Sequence, residues 1–144
     1  MLKTIPPVLT PDLLWCLAAM GHGDRLVLAN ANYPAHSRHE RVVTLAGVSL
    51  LAAARSIVQL MPIDDLGGPA AHRMVPDGRP DDVMDVHRDV QQELDAAEGR
   101  PVPLQPLERA AFFDLAASAF VVVATTDNRP FGCFVLTKGV VRAF

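Results

Sequence analysis

Two short stretches of this 144-residue chain carry side chains able to move protons or hold hydroxyl groups. The first is Met20-Gly21-His22-Gly23-Asp24-Arg25, with a histidine between two glycines. Histidine titrates near neutrality and suits general acid–base work. The flanking glycines permit positive φ and close backbone approach, which places His22 in a tight turn. The second stretch is Asn30-Ala31-Asn32-Tyr33-Pro34-Ala35-His36-Ser37, directly after the apolar run Leu26–Ala29. In an open α/β sheet, ligands gather outside the carboxyl ends of strands. Asn30, Asn32, Tyr33 and His36 therefore form the expected binding loop, with Tyr33 and His36 as further proton-transfer groups.

The elements around these stretches follow from local chemistry. Thr10 is a suitable N-cap, Pro11 fits the first helical position, and Leu13, Leu14, Leu17 and Met20 recur at helical spacing. This first helix is expected to end at Gly21 or Gly23. Arg25–Ala29 and Val42–Leu45 read as short strands, with Arg38–Arg41 as polar loop between them. Ser49 caps a helix from Leu50 to Met61, stopped by Pro62. Ala70–Val75 reads as a strand, and Pro76–Pro80 as a turn. A helix starts at Asp81 or Asp82 and runs to about Ala97, with a narrow seam of Val83, Val86, Val90 and Leu94 and a polar remainder that includes His87. Gly99 closes it. Pro101, Pro103 and Pro106 leave room for a short edge strand or an extended segment. A further helix runs from Leu107 or Glu108 to Ser118. Phe120–Thr125 and Phe131–Leu136 are strands, separated by the turn Thr126–Pro130. Strands alternating with helices predict one α/β domain over residues 1–144, with helices covering a central sheet.

Composition excludes several classes of function. Half the residues are hydrophobic, 20% are charged and the net charge is −3, an ordinary globular balance without a basic cluster. No nucleic-acid partner is expected. The apolar runs fall short of the roughly 20 residues a membrane span needs, so no membrane partner is expected either. The first residues lack the layout of a signal peptide, and the expected compartment is the cytoplasm. Cys16 and Cys133 make no metal or disulfide spacing, and Cys16 reads as a core residue. His36 and His39 are three apart but no carboxylate or cysteine cluster joins them, so no metal is expected.

Met1–Pro7, Met20-Gly21-His22-Gly23-Asp24 and Tyr33-Pro34-Ala35-His36-Ser37 together resemble the L-fucose mutarotase side of the RbsD/FucU family. The likeness continues through Arg109-Ala110-Ala111-Phe112-Phe113, Ala119–Thr125 and Phe131–Val140, in order and with compatible spacing. The resemblance implies a three-layer α/β/α domain with a central mixed sheet. It implies interconversion of sugar anomers and ring forms without a cofactor, and closed homo-oligomers, commonly decamers, with sites near subunit boundaries. Apolar Val140, Val141 and Phe144 at the end of the chain suit an oligomer.

Carried over by position, the family's proton-donating histidine falls on His22, its sugar-binding aspartate on Asn30, and its helix arginine on Arg109. Its last strand normally begins Tyr-Gly-Asn or Tyr-Ala-Asn, which falls on Phe131, Gly132 and Cys133. Asn30 keeps hydrogen-bonding capacity but cannot act as a base. Phe131 keeps a ring able to pack on a sugar's C–H face but has no hydroxyl, and Cys133 replaces an amide. Taken without the resemblance, Phe131 and Cys133 read as core residues at a strand start, and Arg109 as a surface ion pair. The leading expectation is a mutarotase acting on L-fucose or a related monosaccharide. The alternative is a sugar-binding or regulatory protein with little turnover, and a purely structural oligomer ranks last.

Overall fold

The computed structural model describes residues 1–142; Phe144 lies outside them. Helix α1 (Pro11–Ala19) starts as its sequence dictates, with the Thr10 hydroxyl accepting the Leu13 N–H at 3.3 Å. It ends before either glycine. Met20 is already extended, and the last carbonyls are met by a cation instead: the Lys138 ammonium donates to Leu17 O and Met20 O. Gly23, at φ 89°, makes the turn into β1 (Arg25–Ala29). The stretch that follows is not all loop, for Ala35–Arg38 forms the short helix α2 around buried Ala35. Strand β2 (Val42–Leu45) is where it was expected. Helix α3 (Leu50–Val58), capped by the Ser49 hydroxyl, stops three residues short of Met61.

Strand β3 (Ala71–Val75) precedes α4 (Asp85–Glu98), which begins later than Asp81 or Asp82. The start is fixed by His87, whose Nδ1 accepts the Met84 N–H at 3.0 Å. Gly99, left-handed at φ 66°, closes the helix as expected. Its buried seam is Val86, His87, Val90 and Leu94, while Val83 is exposed. His87 therefore belongs to the interior and not to the polar face. Strand β4 (Leu104–Glu108) takes in Leu107 and Glu108, so α5 is limited to Arg109–Ala116. Pro106 is tolerated because β4 is an edge strand that pairs with β3 alone. Strand β5 (Val121–Thr125) matches expectation. The last strand, β6 (Phe134–Thr137), begins three residues after Phe131.

The six strands are ordered β2-β5-β1-β6-β3-β4, and β6 alone runs antiparallel to its neighbours. Side chains alternate across the sheet. Leu26, Leu28, Val121, Val123, Phe134 and Leu136 pack with α1, α3 and α4. Val27, Ala29, Val122 and Val135 pack with Phe112 and Ala116 of α5. The result is a three-layer α/β/α domain with a mixed sheet. Each fully buried side chain of this size contributes about 1.5–3 kcal/mol, which makes β1, buried on both faces, the rigid axis of the domain. Among the described residues, no helix is long and apolar enough to cross a membrane.

Candidate functional site

Strand direction sorts the molecule's chemistry into two ends. At one lie the carboxyl ends of β1, β3 and β5 and the approach to antiparallel β6. A cavity of about 270 Å³ opens there, lined by Asn30, Tyr33, Met74, Arg109, Phe113, Phe131 and Cys133, with Asn32, Pro34 and Pro130 at its edge. Six expected site residues, Asn30, Asn32, Tyr33, Arg109, Phe131 and Cys133, from three distant parts of the chain, thus line one cavity. Gly132 lies buried between Phe131 and Cys133. A Cβ there would stand 2.5 Å from Leu50 Cδ1 and 3.1 Å from the Arg129 carbonyl, so glycine is what lets this loop close over Asn30.

The loop is held in an unusual shape. Phe131 has φ 57°, a left-handed backbone that bulky residues rarely adopt and that costs about 1–3 kcal/mol. It is not yet in a strand, contrary to expectation. Its carbonyl accepts from the Cys133 N–H and from His87 Nε2, both at 2.9 Å. Because His87 Nδ1 already accepts the Met84 N–H, the ring's own proton sits on Nε2 and points at Phe131. Burial holds His87 below the ordinary histidine value, which keeps the ring neutral and this pattern intact.

Asn30 is 7% exposed and its amide is committed to the protein. Nδ2 donates to the Arg129 carbonyl at 3.0 Å, and Oδ1 accepts from the Asn32 N–H and, at 3.6 Å, from the Cys133 thiol. Burial pushes that thiol up to about 11, so it stays a donor. The Arg129 carbonyl is itself fixed by side chains that read only as a turn in the sequence. The Arg129 guanidinium pairs with Asp127 at 3.0 Å and with Asp89 of α4 at 2.6 Å. Asp127 also accepts the Leu50 N–H at the start of α3. Burial raises the Asp127 carboxyl, but the Arg129 and backbone hydrogen bonds outweigh this and hold it below the usual range.

Arg109 is exposed at the first turn of α5, its guanidinium 5.2 Å from the Phe113 ring centroid. It makes no ion pair among the described residues and so presents a free cation at the cavity mouth. Tyr33 is 8% exposed, and its hydroxyl meets His39 Nε2 at 2.8 Å. His36, expected to join this group, is exposed on α2 and does not line the cavity. His39, which the sequence marked only by its spacing of three from His36, meets the Tyr33 hydroxyl without itself lining this cavity.

His22 lies at the other end. Five residues of β1 at about 3.3 Å each put roughly 17 Å of strand between it and Asn30. Its side chain is 47% exposed, and Nε2 sits 3.0 Å from Asp64 Oδ1. Asp64 reaches it because Gly139 has no side chain: a Cβ there would meet Asp64 backbone atoms at 2.8 Å. Burial raises Asp64, but hydrogen bonds from His22 and the Leu66 N–H outweigh it and hold the carboxyl below its usual value. Asp24 Oδ2 accepts the Gly21 N–H at 2.8 Å and closes the turn. Within one chain, His22 and the cavity do not meet. Among the described residues, no group of three or more metal-ligating side chains is present, and Cys16 and Cys133 are free and buried.

Residues 3–141 match the RbsD / FucU transport protein family. The chain belongs to the RbsD/FucU family. It is 36% identical over 143 residues to the L-fucose mutarotase of Histophilus somni strain 2336, covering 97% of each chain. It is 39% identical over 147 residues to the fucose mutarotase of Danio rerio, covering 97% of this chain and 94% of that one. The crystal structure of the fucose mutarotase of Streptococcus pneumoniae in complex with L-fucose superposes with a TM-score of 0.89 at 34% identity, covering 98% of this chain and 100% of that chain. Within this RbsD/FucU domain, Asn30, Arg109, Phe131 and Cys133 are brought to one cavity, and His22 is held apart from it.

Proposed function

We propose that this chain is a monosaccharide mutarotase acting on L-fucose or a related reducing sugar, with each site completed by a neighbouring copy. The observation that carries the reading is the cavity beside Arg109. At about 270 Å³ it lies just below the roughly 300–1,000 Å³ of drug-sized sites, which suits a single sugar ring. Aromatic Phe131 and Phe113 offer faces for C–H groups, and the unpaired Arg109 guanidinium offers donors for hydroxyls. The likeness over the whole chain to fucose mutarotases supports the same class of substrate.

Anomer exchange asks for one acid and one base. The anomeric hydroxyl loses its proton as the bond between C1 and the ring oxygen breaks, and the ring oxygen gains one. Rotation about C1–C2 and the reverse exchange close the opposite anomer. His22 supplies one of these groups, paired with Asp64 at 3.0 Å. Since it stands at the far end of β1, it acts on the cavity of a second copy. This supports a closed homo-oligomer such as a decamer, as do Val140 and Val141, which one chain leaves 41% and 73% exposed. Two buried free thiols suit the reducing cytoplasm.

The second reading is a sugar-binding protein without turnover. It is favoured by Asn30, whose amide is used up in holding the loop and cannot act as a base. Exchange NMR on a panel of L-fucose, D-ribose, galactose and rhamnose separates the two. Faster exchange between the α and β forms of one sugar is expected; saturable binding with no acceleration would establish the second reading instead.

A further inference from the structure

Tyr33, one of the residues lining the cavity, has its hydroxyl bonded to a titratable ring. We propose that Tyr33 and His39 form a two-group proton relay that serves as the second acid/base of this site, in the place Asn30 cannot fill. The inference rests on the mutarotase reading above and deepens it.

None of the other cavity groups can serve as the base, the amide of Asn32 included. The Asn30 amide is bonded to Arg129, Asn32 and Cys133. The Cys133 thiol donates to Asn30 and is 3% exposed. Arg109 is permanently cationic, and Phe131, Phe113 and Met74 carry no exchangeable side-chain proton. Tyr33 remains, the chain's only tyrosine. Its hydroxyl bonds His39 Nε2 at 2.8 Å, and the two rings stack with centroids 5.7 Å apart, which fixes the ring orientation. Phe112 and Phe113 pack on the Tyr33 ring from α5. Arg38, its guanidinium 3.9 Å above the Phe113 ring, places a cation beside the pair.

The protonation states suit a relay. Burial pushes Tyr33 up to about 12, Cys133 adds to the rise and Arg38 opposes it, so the hydroxyl keeps its proton at neutral pH. Burial and Arg38 hold His39 below the ordinary value, so its ring is neutral and Nε2 accepts the Tyr33 O–H.

The steps balance. The anomeric hydroxyl proton passes to Tyr33 Oη as the tyrosine's own proton passes to His39 Nε2. The C1–ring oxygen bond breaks, and the ring oxygen takes a proton from the neighbouring copy's counterpart of His22. Reclosure on the other face returns both protons, with no oxidant, reductant or co-reactant. His39 also lines a separate cavity of about 400 Å³ between α2 and the end of α5, beside Glu40, Arg41 and Phe120. Tyr33 thus lines the first cavity while His39 lines a second opening large enough to admit a free imidazole.

The test uses the assembled protein and the sugar that the wild type turns over. Tyr33→Phe should slow exchange by about 100-fold or more while sugar affinity stays within a few-fold. His39→Gly should lose a similar factor, and added imidazoles should restore exchange at rates that follow their basicity. A packing role for His39 would give rescue insensitive to basicity, or none, and would overturn the relay. Wild-type exchange in Tyr33→Phe would also overturn it while leaving the mutarotase reading intact. Exchange absent from the wild type itself would remove both. Should Tyr33→Phe fail to fold, as judged by circular dichroism, the His39→Gly rescue series decides alone.

Discussion

The two ends of β1 hold polar groups in opposite ways. At the amino end, His22 is half exposed and tied down by one carboxylate, Asp64, in a turn braced by Asp24 and Lys138. At the carboxyl end, Asn30 is buried with both ends of its amide bonded, and the strained Phe131 backbone rests on a buried histidine. One end presents a proton carrier to the outside; the other encloses a small cavity. The difference is the ground of the proposal made above, in which neither end is a site alone and the catalytic geometry belongs to the contact between copies.

The most severe way to break this comparison is to remove the presented group. His22→Ala should lower anomer exchange by about 10²–10⁴-fold. Its exposed pair with Asp64 contributes only about 0–1 kcal/mol, so the melting midpoint should barely move. Mixing unfolded His22→Ala with unfolded Arg109→Ala and refolding them together should then restore exchange, because some contacts would join an intact His22 end to an intact cavity. Two inactive variants that stay inactive when co-assembled would place both functions within one chain.

A milder intervention targets the enclosed end. His87→Ala leaves the Phe131 carbonyl and the Met84 N–H without their shared partner, at a cost of about 1–3 kcal/mol. Urea unfolding should read this loss, and sugar affinity should fall with it. The same change should leave hydrogen exchange at Gly21–Asp24 untouched.

Acid provides the gentlest contrast. His39, His72 and His87 are each held below the ordinary value of 6.5, chiefly by burial. Below that pH the unfolded chain takes up protons that the folded chain resists, so stability declines as pH falls through this range, by at most about 1.4 kcal/mol per unit for each histidine. Asp64 and Asp127 are depressed carboxylates, whose stabilising share is lost only further down, below 3.8. Between pH 7 and 5, amide protection, taken relative to the intrinsic exchange rate at each pH, should therefore fall at Phe131–Cys133 before it does around His22. Equal loosening at both ends would erase the distinction.

Much of this was legible in the chain. Thr10-Pro11, the strands 25–29 and 42–45 and the Gly99 cap rest on local chemistry and came out as read. What was misplaced depends on distant partners. Helix α1 ends under Lys138, 118 residues away from Met20, and α4 starts where His87 can bond Met84. Pro106 stands in a strand because that strand has only one neighbour. His22 and Asn30 are only eight residues apart, yet the strand read between them sends them to opposite ends. Of the cavity residues, Asn30 was read from its place just after a strand, and Arg109, Phe131 and Cys133 through family likeness, whereas His39 and His87 have partners that only the folded chain reveals.

Cys133 gives the cavity a built-in clock. Its sulfur is shut off from solvent and, at about 11, almost wholly protonated at neutral pH. An alkylating reagent can reach a reactive thiolate there only when the Pro130–Cys133 segment lifts away from Asn30, so the labelling rate counts those openings. Cys16, buried in the opposite layer on α1, supplies the reference in the same tube. A sugar that occupies the cavity would slow the first reaction and leave the second unchanged, which turns two unremarkable cysteines into a gauge of which ligand holds the loop shut.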